Sequence, residues 1–177
     1  MEKTADAPNV DEWVFAIDPG ADGGFARLFV EGALNTWRMP TKAQGGKQAI
    51  VETLHSLLTD RGCKLIVIES VWGREGDGKR QITTFMKHVG LLEGVVLSAL
   101  LSDPEPPEIL FVPPTKWQKV LGCPKAPTKT EEPKAHRRKT IHKNRLKAVA
   151  EGMFPGKRFT LCTSDAALLA EYGRRLL

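Results

Sequence analysis

Three carboxylates in this chain stand where an acid is not needed for packing. Asp18 ends the apolar run Trp13-Val14-Phe15-Ala16-Ile17 and is followed at once by Pro19-Gly20. Glu69 ends a second run, Leu65-Ile66-Val67-Ile68. Asp165 follows Thr163-Ser164 at the start of the last helical stretch. An acid directly after a buried strand is costly without a partner. Two carboxylates a few Å apart repel unless a cation lies between them. The chemistry this pattern points to is a hard divalent cation, Mg²⁺ first, held on oxygen ligands and acting on phosphate. Each acid has a plainer role open to it: Asp18 as a turn residue, Glu69 as the partner of a buried cation, Asp165 as a helix N-terminal charge. The joint pattern outweighs these single readings.

The elements that must position the three acids can be read from patterning. Residues 13–17, 25–30 and 34–39 read as strands, with Glu31-Gly32 as a two-residue turn between the second and third. These three strands form an antiparallel meander. Ile50, Val51, Leu54, Leu57 and Leu58 recur at helical spacing over 47–60, and Gly62 stops that helix. The run 64–69 is apolar without alternation, as in a central parallel strand covered on both faces. A Gly-rich loop over 73–79, a long helix over 80–101 and a fifth strand over 109–112 follow. A short helix spans 115–121, and two further helices span about 139–153 and 164–176. The order predicts one α/β domain over 13–177 with a mixed five-stranded sheet, three antiparallel plus two parallel strands, flanked by helices. Residues 1–12 read as a flexible tail. In such a sheet Asp18 and Glu69 both fall at carboxyl ends of neighbouring parallel strands, where open α/β sheets place their ligands.

Composition bounds the rest. The chain has 177 residues, 41% of them hydrophobic, enough for one domain with a sizeable core and too polar for a membrane protein. The polar, acidic start has no apolar signal core, so the expected setting is cytoplasmic. Three cysteines, Cys63, Cys123 and Cys162, have no disulfide-framework spacing and read as reduced thiols. Cys123, His136 and His142 match the back half of a zinc-finger spacing whose front half is absent. The net charge is +5 with a pI near 9.2. Between Lys125 and Lys147 nine basic residues face two acidic ones, a local excess larger than that of the whole chain. The remainder is slightly acidic, so the basic charge is concentrated in one element. Its first part, 122–138, is rich in proline and charge and reads as a mobile basic loop suited to phosphate.

Taken in order, these segments resemble the RuvC-like Holliday junction resolvases of phage and bacterial type, within the RNase H-like superfamily. Phe15 to Gly20 looks like that family's first strand with its first metal-binding Asp. Val67-Ile68-Glu69-Ser70-Val71-Trp72 looks like the fourth strand with its Glu. Ser164 to Ala170 looks like the final helix with the last Asp. Phe85 to Val95 with Gly90 and Gly94, Trp117, Phe154-Pro155 and Tyr172-Gly173 add further likeness. The resemblance covers about Val14 to Gly173.

The resemblance implies an RNase H-like nuclease domain that acts as a homodimer on four-way junction DNA, nicking two strands at symmetric points. Two Mg²⁺ ions, with Mn²⁺ as a substitute, would be held by Asp18, Glu69 and Asp165. The ends would be a 5′-phosphate and a 3′-hydroxyl. Lys143 matches a family lysine near the scissile phosphate. Trp72 stands where an aromatic stacks on a junction base. Lys116 and Lys119 flank Trp117 and could each touch backbone phosphate, as could Arg137, Arg138, Lys139 and Arg145. The likeness implies a host cytoplasm or nucleoid, or a phage-infected cell. One position departs from the pattern: three before Asp165 the family has an acid or His, and here stands Cys162. A neutral thiol is a poor Mg²⁺ ligand. Three carboxylates alone could serve, Asp77 could substitute, or activity could be weakened.

Other functions remain in contention. A non-catalytic junction-binding protein would keep the fold and the basic surface, and Cys162 is the feature that favours it. An RNase H-type enzyme on RNA–DNA hybrids is the alternative within the broader superfamily. Asp18 to Gly24 also looks like the first phosphate loop of sugar-kinase and actin-type ATPases, but those need two such domains and 177 residues cannot hold both.

Overall fold

The structure, a computed structural model, describes residues 12–20, 22–70, 79–101 and 103–177, with the side chains of 80 and 81 excepted. Five strands form one sheet: β1 (Trp13–Asp18), β2 (Gly24–Phe29), β3 (Leu34–Arg38), β4 (Cys63–Glu69) and β5 (Glu108–Val112). Their spatial order is β3-β2-β1-β4-β5. β1 pairs antiparallel with β2, and β2 with β3; β1 pairs parallel with β4, and β4 with β5. The helices are α1 (Lys47–Leu58), α2 (Lys79–Leu100), α3 (Pro114–Val120), α4 (Ala135–Met153) and α5 (Ser164–Arg174), with one 3-10 turn over Lys42–Gln44. The mixed five-stranded sheet predicted from patterning is therefore the observed one.

The sheet separates two apolar cores. Trp13, Phe15 and Ile17 of β1 face one way and join Phe25, Ile66 and Ile68 beneath α1 and α2. Val14 and Ala16 face the other way, with Ala26, Val67 and Val112, beneath α3, α4 and α5. Every residue of β1 is buried, which is why its sequence runs apolar without alternation. Each large side chain so buried contributes roughly 1.5–3 kcal/mol.

α5 decides where the third acid falls. Its sheet-facing residues are small: Ala166, Ala167, Ala170 and Gly173 are all buried. A Cβ on Gly173 would stand 2.6 Å from Val14 Cγ1 and 2.7 Å from Val67 Cγ2, so only glycine allows this approach. α5 lies across β1, β2 and β4, with Gly173 over the start of β1. From residue 173 back to 165 the helix advances roughly 12 Å at about 1.5 Å per residue. From residue 14 to 18 the strand advances roughly 13 Å at about 3.3 Å per residue. The helix thus carries Asp165 back to the level of Asp18.

Two details differ from the sequence expectation. The β2–β3 connection is a three-residue loop, Val30 to Gly32, with Gly32 N–H donating to Phe29 O and Phe29 N–H to Ala33 O. A two-residue turn of the mirror type would need positive φ at Glu31 as well. Among the described residues only glycines adopt positive φ, here Gly32 at 104°. The basic loop predicted over 122–138 ends at 134, because α4 starts at Ala135, and Ala135–Arg138 form its first turn. Pro133 sits just ahead of the helix, where proline is well tolerated. The expected tail over residues 1–12 and loop over 73–79 lie almost wholly outside the described residues.

Candidate active site

Parallel pairing of β1 with β4 sets Ile17 beside Ile68, so Asp18 and Glu69 leave adjacent strands at the same level. Asp18 is 5% exposed, and its Oδ1 accepts a hydrogen bond from Gly20 N–H at 3.1 Å. That bond closes the turn after the strand and fixes the carboxylate. Asp165, also 5% exposed, sits in the first turn of α5, with Oδ1 accepting from Ser164 Oγ at 3.3 Å. Lys143 of α4 stands between the two aspartates. Its Nζ lies 2.5 Å from Asp165 Oδ2 and 3.7 Å from Asp18 Oδ2.

Glu69 is held by a different element. Trp117, fully buried in α3, donates from Nε1 to Glu69 Oε1 at 3.0 Å. A buried indole needs an acceptor for its one N–H, and here the acceptor is a candidate ligand. The sequence placed Trp117 among family likenesses without a role. The legible signal was its place directly after β5, the strand beside Glu69.

Electrostatically the cluster carries more negative charge than its surroundings neutralise. Burial pushes the Asp18 carboxyl above its usual range; Lys143 opposes this and the Asp165 charge adds to it. Glu69 is pushed up to about 8, first by burial, then by the charges of Asp18 and Asp165, with the Trp117 hydrogen bond pulling the other way. For Lys143, burial lowers the pKa, but Asp18, Asp165 and Glu69 outweigh it and the net direction is up. Asp18 and Glu69, whose protons are hard to remove, and the neighbouring Asp165 are oxygen donors that suit a hard divalent cation. As the side chains stand, with Lys143 between two of the acids, no three His, Cys, Asp or Glu among the described residues converge to hold an ion.

The other expected residues distribute as follows. Arg137 and Lys139 are exposed in the first turns of α4, and Lys116 and Lys119 are exposed on α3. Lys139 lies one turn before Lys143 and continues its stripe away from the acids. Arg138 donates to the carbonyls of Glu132 and Pro133, and Arg145 to that of Lys125, so both tie α4 to the basic loop. Trp72 and Asp77 lie outside the described residues. Cys162 precedes α5, and its Sγ lies 3.5 Å from Arg38 Nη2. Cys123 is a neutral thiol, pushed up to about 11 by burial and by the Asp165 charge.

No protein-family model and no curated protein matches the chain. Solved structures do. The structure of RuvC of T. thermophilus in complex with a Holliday junction substrate aligns with a TM-score of 0.53 at 14% identity, covering 93% of this chain and 96% of that one. Another structure of Thermus thermophilus RuvC aligns at 0.51 with 15% identity and the same coverage. The yeast mitochondrial Holliday junction resolvase Ydc2 aligns at 0.49 with 15% identity, over 96% of this chain and 80% of that one. With the strand order above, the first two show the fold: this chain has an RNase H-like α/β fold, shared with those RuvC structures.

Proposed function

We propose that this protein is a structure-selective endonuclease that resolves four-way DNA junctions by paired, metal-dependent nicks. The observation that carries the reading is Lys143 held between Asp18 and Asp165 at the end of the sheet where Glu69 leaves the neighbouring strand. The likeness to RuvC, solved with a junction substrate, supports the choice of DNA substrate.

Asp18, Glu69 and Asp165 would hold two Mg²⁺ ions, or Mn²⁺ in their place, which when bound supply an activated water and stabilise the leaving 3′ oxygen. The protein's own part is positioning. Gly20 N–H and Trp117 Nε1 fix two of the carboxylates before substrate arrives. Lys143, once the acids are neutralised by the ions, would be released from them to face the scissile phosphate. Lys139, Arg137 and the lysines of the 122–134 loop extend positive charge outward along the duplex arms. The nicks leave 5′-phosphate and 3′-hydroxyl ends, and symmetric cutting requires a homodimer.

The test is incubation with a labelled synthetic four-way junction, with Mg²⁺ or EDTA, beside a linear duplex of the same sequence. Symmetric nicks restricted to the junction and to Mg²⁺ support the reading, and Asp18→Asn then stops cutting while sparing binding. A non-catalytic junction binder is the second reading, favoured by Cys162 at the place of a fourth ligand and by Lys143 already bridging two acids. Tight binding without nicks in the same experiment selects it. Neither binding nor cutting removes junctions as the substrate.

A further inference from the structure

Register places one more charged side chain on the acids' face of the sheet. Arg38 pairs with Gly24, and Gly24 with Asp18, while Ile17 pairs with Ile68. Directly paired residues share a face, so Arg38, Asp18 and Glu69 all point to the α5 side. Gly24, between Arg38 and Asp18, has no side chain. A Cβ there would meet Trp37 O at 2.4 Å and Cys162 O at 3.0 Å, so the turn before α5 sits directly on the backbone at this point.

The guanidinium of Arg38 reaches that turn and finds a thiol. Its Nη2 to Cys162 Sγ contact is 3.5 Å, and sulfur is a weak acceptor. Among the described residues Arg38 makes no ion pair. Arg27, Arg174 and Arg175 by contrast hold carboxylates. A carboxylate at position 162 would bind the guanidinium in a charge-assisted pair; Cys162 leaves its donors available. Arg38 is exposed at the free edge of β3; the open cleft beside it turns round that edge to Trp37, Met39 and Thr53 on the α1 side and is not part of the acids' face.

We infer that Arg38 binds a backbone phosphate of the nicked strand, beside the acids but apart from the metal centre. Two strand spacings separate Arg38 from Asp18, roughly 10 Å, too far to share one ion. At one phosphate per about 3.4 Å of axis on each strand, the contacted phosphate lies about two or three nucleotides from the one the acids face. The inference deepens the nuclease reading and rests on it.

The experiment is anisotropy of a labelled four-way junction in EDTA over a KCl series, with Arg38→Gln and Arg38→Lys beside wild type. Loss of one phosphate contact lowers the magnitude of the log K against log[salt] slope by about 0.9 and weakens binding about tenfold. Arg38→Lys keeps the slope. A merely structural role for Arg38 would move the melting temperature instead of the slope. An Arg38→Gln slope and affinity equal to wild type, in a protein that binds junctions, overturns the inference and leaves the nuclease reading standing. If wild type does not bind junctions, that reading falls, and the same titration on single-stranded DNA decides for Arg38: an unchanged slope overturns the phosphate site there too.

Discussion

Glu69→Gln should make the metal-free protein more stable at pH 8 while removing its activity. In the folded chain Glu69 titrates near 8 against an ordinary value of 4.5. Between these values the unfolded chain has lost the proton and the folded chain still holds it. The unfolded state therefore binds fewer protons, and stability falls as pH rises through that window. The contribution of Glu69 is fully present below pH 4.5, drains away from there to about 8, and is gone above. A separation of about 3.5 pKa units corresponds to roughly 5 kcal/mol at the limit. Glutamine has nearly the same shape, can still accept from Trp117 Nε1, and carries no charge to bury. If only half the limit is realised, Tm at pH 8 rises by about 5–10 °C, at about 2–4 °C per kcal/mol for a chain of this size. Thermal unfolding in EDTA from pH 4.5 to 9 measures this. The two proteins should coincide near pH 4.5 and separate progressively up to 8. Mg²⁺ should then raise the Tm of wild type at pH 8 by binding the folded state, and raise that of Glu69→Gln far less. A variant that melts at or below wild type throughout, or a gap independent of pH, would refute the claim that Glu69 is held as an uncompensated charge awaiting a cation.

Trp117→Phe removes the donor that lowers the Glu69 pKa, so the acid limb of the nicking pH–rate profile at limiting Mg²⁺ should move to higher pH; an unmoved limb would deny Trp117 a positioning role. Lys143→Met removes the cation between Asp165 and Asp18 and should slow nicking by at least about tenfold, with a much smaller change in junction affinity in EDTA, read by single-turnover cleavage beside anisotropy. Gly173→Ala drives a Cβ into Val14 and Val67 and should cost about 1–3 kcal/mol by overpacking, seen as a lower Tm in denaturation at any pH and, because α5 carries Asp165, as a higher Mg²⁺ requirement for nicking.

Asp18 and Glu69 were legible because burial on both faces erases alternation: two apolar runs that each end in an acid can only be neighbouring central strands. Asp165 was legible from its cap-like context and from the family likeness, but its distance from the other two was not. That distance depends on a glycine and three alanines lining α5, which lets the helix lie against β1 closely enough to bring its N-terminus level with Asp18. α4 begins four residues ahead of the predicted 139 for a local reason: Pro133 and the charged residues after it read as loop, although the chain is already helical from Ala135.

Trp117 and Arg38 were out of reach for different reasons. The lysines on either side of Trp117 say nothing of its depth, yet its indole is fully buried and its N–H must find an acceptor. With β5 placed beside β4, the carboxylate at the end of β4 is the natural one, so sheet order alone would have recovered this contact. Arg38 needs more than order. Its face follows from two successive antiparallel registers, and a slip of one residue in either would turn it from the acids to the opposite core. The three-residue loop at Val30 to Gly32 sets the second of those registers. A two-residue turn in its place would shift the pairing and carry the guanidinium away from Cys162. The turn chemistry of a solvent-exposed hairpin thus decides whether the Arg38 guanidinium joins Lys143 on the acids' face of the sheet.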